Sequence, residues 1–516
     1  MKIKLFKRYF KIDNVVYKQL TFRGYSKKNM RPHKISIKRK KNFNLRYQKN
    51  KFVLFLKEDG RLDNDLPLDN HISELIKKFI RTEVFKNLAF NSSISIDNPI
   101  TLEPSTILIV KVKNFVGDQE LFDFGKIISS FKDGNAVSII WSIDKPFIST
   151  LRTVQLRSYV FNKLKSRPKG SKDSAETTFF LDEKFKFSKL DLQRNDALAD
   201  GVFLSRDLVN LPANILNTET FEKELKKFKK IGIKVRVLNE KDIKAIGMNL
   251  LFAVGKGSSN PSKVLVLEWK GGKSGTQPTA LVGKGVVFDS GGLSLKSSSG
   301  MVDMAMDMAG AAVVAGVIKS VAQSNLKVNL VGLIGLVENM PGPSAMRPGD
   351  VIKSLKGDLV QVNNTDAEGR LVLGDLLWYA QQKFKPKRIF DLATLTGAII
   401  VALGKEYAGV FSNNDKFCDE FLSVCDQSNE KAWRLPLDKK FGDALSSKIT
   451  DITNVGGSQG SSIVAAMFLN NFVKKETPWI HLDVAGVAKN TETIYSKNGA
   501  TAWGVVALFE YFQRFP

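Results

Sequence analysis

The sequence predicts an α/β protein of two unequal domains. A smaller N-terminal α/β domain is joined by a long helix to a larger C-terminal α/β domain with a mixed, mainly parallel sheet. Three observations predict this. Short runs rich in β-branched and aromatic residues alternate with helix-like stretches along most of the chain, the pattern of strand–helix–strand units. Several runs in the second half are apolar on both faces, as parallel strands covered by helices on both sides must be. Finally, 516 residues exceed what one core usually encloses, since domains run to roughly 100–200 residues.

The elements follow in order. Residues 52–56, 107–112, 136–141 and 177–181 read as strands, with helical stretches over 71–88 and 147–165 between them. The polar stretch 165–176 reads as an exposed loop. A long helix is expected over 187–210, with apolar positions at Leu190, Ala197, Ala199, Val202, Leu204 and Leu208. It stops at Leu211-Pro212, because a proline disfavours helical backbone at the residue before it. The domain junction falls inside this helix, giving a basic extension over 1–51, a first domain over 52–195 and a second over 196–516. In the second, strands are expected at 234–238, 263–269, 279–288, 328–337, 389–392 and 479–484. Helices are expected at 304–322, 371–384 and 462–474.

Composition narrows the function classes. With 43% hydrophobic and 25% charged residues the chain is ordinary globular material, neither disordered nor collagen-like. The longest uninterrupted apolar run, Met308–Ile318, falls short of the ~18 residues a membrane-spanning helix needs, and no membrane partner is expected. Two cysteines, Cys418 and Cys425, cannot staple a chain this long, which points to a reducing compartment. Three histidines, His33, His71 and His481, stand in no ligand-like spacing, so a zinc site built on paired histidines is excluded. His481 lies in the strand-like Trp479–Asp483 and reads as a core residue. Chemistry is left to carboxylates, lysines and arginines. The net charge of +26 is concentrated in residues 1–51, where eighteen lysines and arginines face one acid, Asp13. Such an arm suits an organellar presequence, a tail for nucleic acid or another anionic surface, or a solvated extension without a role.

In open α/β sheets ligands gather beyond the carboxyl ends of the strands, and unusual polar residues stand at such places. The apolar run Ala280-Leu281-Val282-Gly283 leads into Lys284, then Asp289-Ser290-Gly291-Gly292, then Lys296. Read alone, Lys284 fits a snorkelling lysine equally well. Further on, Asp366, Glu368 and Arg370 alternate, so an extended backbone would aim all three to one side. A solvated acidic turn is the alternative, but the apolar Leu371-Val372-Leu373 that follows implies burial. Buried like charges need a compensating ion. Lys284, Asp289, Asp307, Asp366 and Glu368 together suggest two divalent metals bound mainly through oxygen. Mn²⁺ and Zn²⁺ are the leading candidates and Mg²⁺ a third. A lysine can ligate only as the neutral amine, which makes Lys284 informative.

These runs, 282–292 and 364–371, resemble the cytosolic leucyl aminopeptidase family of M17 metallopeptidases. So do Ser205–Asn210, Asp391–Ala398 and Asn498–Thr501. The likeness is strong over about 180–516, architectural over 52–180, and absent from the basic arm. It implies a leucyl aminopeptidase releasing N-terminal residues from short peptides in a homohexamer, with two metals activating a bridging water. By that resemblance Lys284, Asp289, Asp366 and Glu368 hold one metal, and Asp289, Asp307 and Glu368 the other. It makes Lys296 the oxyanion stabiliser and Arg370 the holder of a bicarbonate that acts as general base. Asn364, Thr394, Leu395 and Gly397 would line the substrate groove. A cytoplasmic location is expected, or the mitochondrial matrix if residues 1–51 are a presequence. The competing reading is an inactive or bifunctional homologue that binds nucleic acid or an anionic assembly through the basic arm. One departure stands out. The family usually shows a Met-Asp pair followed by a lysine ahead of the third metal aspartate, whereas this chain reads Met301-Val302-Asp303-Met304-Ala305-Met306-Asp307.

Overall fold

The computed structural model describes residues 35–39, 51–57, 70–97, 106–132, 136–165, 176–181, 185 and 188–516. The first sheet holds β1 (Ile35–Arg39), β2 (Lys51–Lys57), β3 (Ser93–Asp97), β4 (Thr106–Val112), β5 (Val137–Trp141) and β6 (Thr177–Leu181), in the order β1-β6-β5-β2-β4-β3. Every pairing is parallel except β3 with β4 at one edge. Strands this apolar need cover on both faces. Helices Asp118–Lys132 and Ile148–Arg157 supply one cover through Leu121, Phe124, Ile128, Leu151 and Val154. Ile72, Ile76 and Phe85 supply the other.

Several details differ from the sequence reading, among them the strand Ser93–Asp97 and the helix Asp118–Lys132, which it did not contain. The strand Ile35–Arg39 lies within the stretch expected to be an extension, where it pairs with β6 and turns Ile35 and Ile37 toward the core. The rest of the basic arm lies outside the described residues, as does most of the polar stretch 165–176. The helix expected over 71–88 is two, Asn70–Ile80 and Glu83–Lys86, because the Thr82 hydroxyl accepts a bond from Phe85 N and caps a new start. The helix expected to reach 165 ends at Arg157, whose guanidinium leaves the helix surface to donate to the carbonyls of Thr493 and Ser496.

The connecting helix, Lys189–Asn210, starts on a Ser188/Asp191 capping box and ends before Pro212, as expected. The second sheet contains β7 (Lys234–Leu238), β8 (Lys263–Lys270), β9 (Thr279–Asp289), β10 (Asn329–Asn339), β13 (Arg388–Ala393), β14 (Ala408–Ser412), β15 (Ala432–Arg434) and β17 (Trp479–Asp483). Its order is β15-β14-β17-β13-β9-β10-β8-β7. The central strands β17, β13, β9 and β10 run parallel, and the antiparallel pairings lie outside them. The remaining strands β11 (Val351–Lys353), β12 (Leu359–Gln361) and β16 (Ile452–Thr453) form a small separate sheet.

One face of the large sheet is covered by helix Ala309–Gln323, itself packed under Lys189–Asn210; the other is covered by helix Gly369–Phe384. Residues 298–323 are long and apolar enough by composition to cross a membrane, yet the helix proper has 15 residues and is buried from Ala309 to Ile318. It is a core helix. The helix expected from 304 instead begins with a 3₁₀ turn, Met304–Met306.

Candidate active site

Strand lengths create the site. The register of β13 against β9 ends at Leu392–Gly283, while β9 continues alone on that side to Asp289. Lys284 is therefore not at the end of its strand, as the sequence suggested. It sits inside β9, just past the carboxyl end of β13, and its ammonium turns into the gap. Its Nζ lies 2.8 Å from Asp307 Oδ1 and 2.8 Å from Glu368 Oε1, and donates to the Thr394 carbonyl at 2.9 Å. Lys296 Nζ lies 2.9 Å from Asp289 Oδ2 and 2.5 Å from Asp366 Oδ1. Two lysines and four carboxylates thus interleave in one cluster, buried at Lys284, Asp289, Asp307 and Glu368 and partly open at Lys296 and Asp366, and every one of the residues expected to ligate metal is in it.

Local structure places each group. Asp289 ends β9, and its Oδ1 accepts from Gly291 N at 2.9 Å and Asn339 Nδ2 at 2.8 Å. Asp307 follows the 3₁₀ turn, and its Oδ1 also accepts from Thr394 Oγ1 at 2.8 Å. The alternation Asp366-Glu368-Arg370 is not a strand. Asp366 sits in a turn whose amide donates to Asn364 Oδ1 at 2.8 Å, Glu368 is the residue before helix Gly369–Phe384, and Arg370 lies in its first turn. Convergence comes from that turn, not from extended backbone.

Electrostatics shows how strained this grouping is. Burial drives the Asp307 carboxyl well above the usual range even though Lys284 pulls it down. Burial, with Asp289 adding to it, raises Glu368 as well, and burial raises Asp366. Burial disfavours the Lys284 ammonium, but Asp307, Glu368 and Asp289 outweigh that and hold it above the ordinary lysine value. Even so, Asp307 Oδ2 is buried with no hydrogen-bond partner. A buried carboxylate oxygen without a donor is costly, and a cation would relieve it. Oxygens of Asp289, Asp366 and Glu368 lie within 4.8 Å of one another, close enough for one ion. An orphaned oxygen amid hard oxygen donors fits divalent cations.

Around this centre, Thr394 and Leu395 follow β13, with Leu395 half-buried, and Gly397 is exposed at the start of helix Gly397–Leu403. Arg370 is buried and donates to Asn454 O at 2.8 Å, while its Nε has no partner. Burial lowers its pKa to about 10, with Glu368 and Asp483 opposing, so it stays cationic near neutrality. With Asn364 it borders a pocket of about 300 Å³ whose wall includes Gly456, Gly457, Ser458 and Ser461. His481 is the expected core residue: fully buried, with Nδ1 2.6 Å from Asp391 Oδ1.

Several supporting residues escaped the sequence reading. Asn339 bridges Asp289 and the Thr365 carbonyl, Asp483 accepts from Leu395 N and Thr396 Oγ1, and Asn454 accepts from Asn363 N. Asn339 and Asp483 each end a central parallel strand, which is the signal that could have found them.

A mixed sheet that gathers carboxylates and amines around its central strand ends is an α/β scaffold with a site suited to divalent cations. Comparison with known sequences is specific. Residues 203–509 match the profile of the cytosol aminopeptidase family, catalytic domain. A probable cytosol aminopeptidase of Dinoroseobacter shibae is 43% identical over 461 residues, covering 89% of this chain and 93% of that protein. One from Cereibacter sphaeroides is 55% identical over 313 residues, 60% of this chain and 64% of the relative. One from Rhizobium meliloti is 46% identical over 345 residues, 66% and 69% of the two chains. The chain belongs to the cytosol aminopeptidase family, and it is an aminopeptidase of the metal-dependent kind.

Proposed function

We propose that this chain releases N-terminal residues, leucine and similar ones, from short peptides, using two divalent cations held by Lys284, Asp289, Asp307, Asp366 and Glu368. The observation that carries the proposal is the convergence of these five side chains past the end of β13, with a buried Asp307 oxygen left without a donor. Bound there, Mn²⁺, Zn²⁺ or Mg²⁺ would supply Lewis acidity toward the scissile carbonyl and make water a stronger acid. The protein's own groups do the rest. By the family resemblance, Asp289 and Glu368 are the carboxylates that would serve both cations. The Lys296 ammonium, raised by Asp289 and Asp366 against the effect of burial, keeps its charge at neutral pH and is the group to meet a developing oxyanion. Arg370, with an unpartnered Nε beside the Asn364 pocket, is suited to hold bicarbonate, which would supply a proton acceptor where no histidine stands. Thr394, Leu395 and Gly397 form the rim against which a substrate would lie.

The cytoplasm is the proposed location, in keeping with bacterial relatives named for the cytosol. A homohexamer is the proposed assembly, and exposed apolar residues such as Val401, Trp433 and Ile449 are surface that such an assembly could cover.

The direct test is hydrolysis of leucine-p-nitroanilide by chelated protein before and after Mn²⁺ or Zn²⁺ is restored. Activity should return with metal and be lost in Glu368→Ala; no activity with either metal would refute the proposal. A gentler variant probes the amine. A Cβ on Gly369 would lie 2.7–2.8 Å from Cδ, Cε and Nζ of Lys284, so Gly369→Ala should shift the lysine out of its exact position while the ammonium keeps its charge pairing with Asp307 and Glu368 and the fold survives. Metal affinity is expected to fall about 10–100-fold, the range for groups that orient ligands, with little change in the urea midpoint. Parent-like affinity would show that the Lys284 position is not needed.

A further inference from the structure

We infer that Lys489 and Asp303 form a clamp that orders the segment ahead of Asp307 and so positions Asp307. The inference rests on the reading of Asp307 as a cation ligand.

Residues 297–306 run between two site residues, Lys296 and Asp307, and contain no fully buried side chain; Val302 is 80% exposed. Ser297 caps the single turn Ser298–Met301, and the Asp303 carbonyl accepts from Met306 N at 3.0 Å to open the 3₁₀ turn that delivers Asp307. These bonds are all local. Among the described residues, the polar side-chain ties that reach this segment from elsewhere are two, and both land on Asp303. Lys489 Nζ approaches Oδ1 at 3.0 Å, and Asn490 Nδ2 donates to Oδ2 at 3.4 Å.

The other side of the clamp is firmly held. Asn490 N donates to Gly499 O at 2.9 Å, Thr501 N to Ala488 O at 3.0 Å, and Ala500 N to Asn210 Oδ1 at 3.1 Å, at the end of the connecting helix. Lys489 thus extends from a braced loop to an unbraced one. Asp303 is 48% exposed in its side chain and is well solvated without a partner. An exposed pair of this kind adds little to global stability, so its consequence is local. It fixes the start of the turn that Asp307 follows, and thereby the distance from Asp307 to Lys284 and Thr394.

The test uses the full chain and Mn²⁺, with dissociation constants read by competition with a chromogenic chelator and thermal midpoints beside them. Lys489→Met and Asp303→Asn should each weaken Mn²⁺ binding about two- to fivefold, the most an exposed pair can contribute, with midpoints close to the parent. The double variant should be no weaker than either single one, as expected for partners in one interaction, and Lys489→Arg should bind like the parent. Unchanged affinity in the single variants, additive losses, or losses that track the midpoint would each overturn the clamp. A parent that fails to bind Mn²⁺ would instead overturn the metal reading itself, so the two failures are distinguishable.

Discussion

Replacing Lys284 with methionine should abolish activity and also destabilise the chelated protein, an outcome an ordinary active-site substitution does not give. Methionine matches the length of lysine but carries neither charge nor donor. The lost ammonium makes contacts of 2.8, 2.8 and 2.9 Å to Asp307, Glu368 and Thr394 O, at a residue 2% exposed. Removing one partner of a buried ion pair leaves uncompensated charge, which costs about 3–5 kcal/mol. Lys296 cannot step in, since it is committed to Asp289 and Asp366 on the other side of the cluster. Urea denaturation of chelated parent and Lys284→Met measures the difference. Saturating Mn²⁺ should restore part of the lost stability, because a cation bound only by the folded state stabilises it by mass action. Activity should stay at least about 100-fold down, beyond the loss from an outer group. A variant as stable and active as the parent would show that the ammonium neither balances these carboxylates nor supplies a ligand.

Most residues of this site were legible because they lie in two short runs of unusual type, a lysine closing an apolar run and acids beside an apolar helix, whereas Asp307 lies in neither and was reached only through the family resemblance. Their geometry was less so. Asp366, Glu368 and Arg370 were expected on one side of an extended stretch, whereas an Asn364-capped turn and a helix start bring them together. Lys284 was expected at a strand end, and its ammonium reaches the carboxylates because β13 stops short of β9, a fact of register that no local pattern carries. The supports Asn339, Asn454, Asp483 and Lys489 come from distant segments, so only the folded topology joins them to the site. The fold class followed from periodicity, because strands buried on both faces are recognisable one at a time. Element ends did not, since a single side chain such as Thr82 can start a new helix within a continuous amphipathic pattern.

Gly310→Ala should be the most disruptive small substitution in the large domain. By propensity alone it would help, since alanine is favoured over glycine inside a helix by about 1 kcal/mol. Packing decides otherwise. A Cβ at 310 would lie 2.0 Å from the backbone oxygen of Leu392 and 2.6 Å from its carbon. Neither atom can rotate away, and the neighbouring contact gives no slack, because a Cβ on Gly283 would meet Ala311 Cα at 2.7 Å. Helix Ala309–Gln323 is seated directly on β9 and β13, so relief requires moving the helix off the sheet and loosening the core around Leu281, Val313 and Leu392. Overpacking costs about 1–3 kcal/mol where side chains can adjust, and a clash with backbone belongs at or above the top of that range. The displacement would begin three residues from Asp307 and against Leu392 and Ala393, which lead into Thr394, whose hydroxyl holds the Asp307 carboxylate. Stability and metal affinity should therefore fall together, unlike in Gly369→Ala, where affinity falls alone. Urea midpoints and Mn²⁺ titration on both variants distinguish the cases. A stabilised Gly310→Ala protein would mean that the helix has room to lift and that its close seating on the sheet is not required.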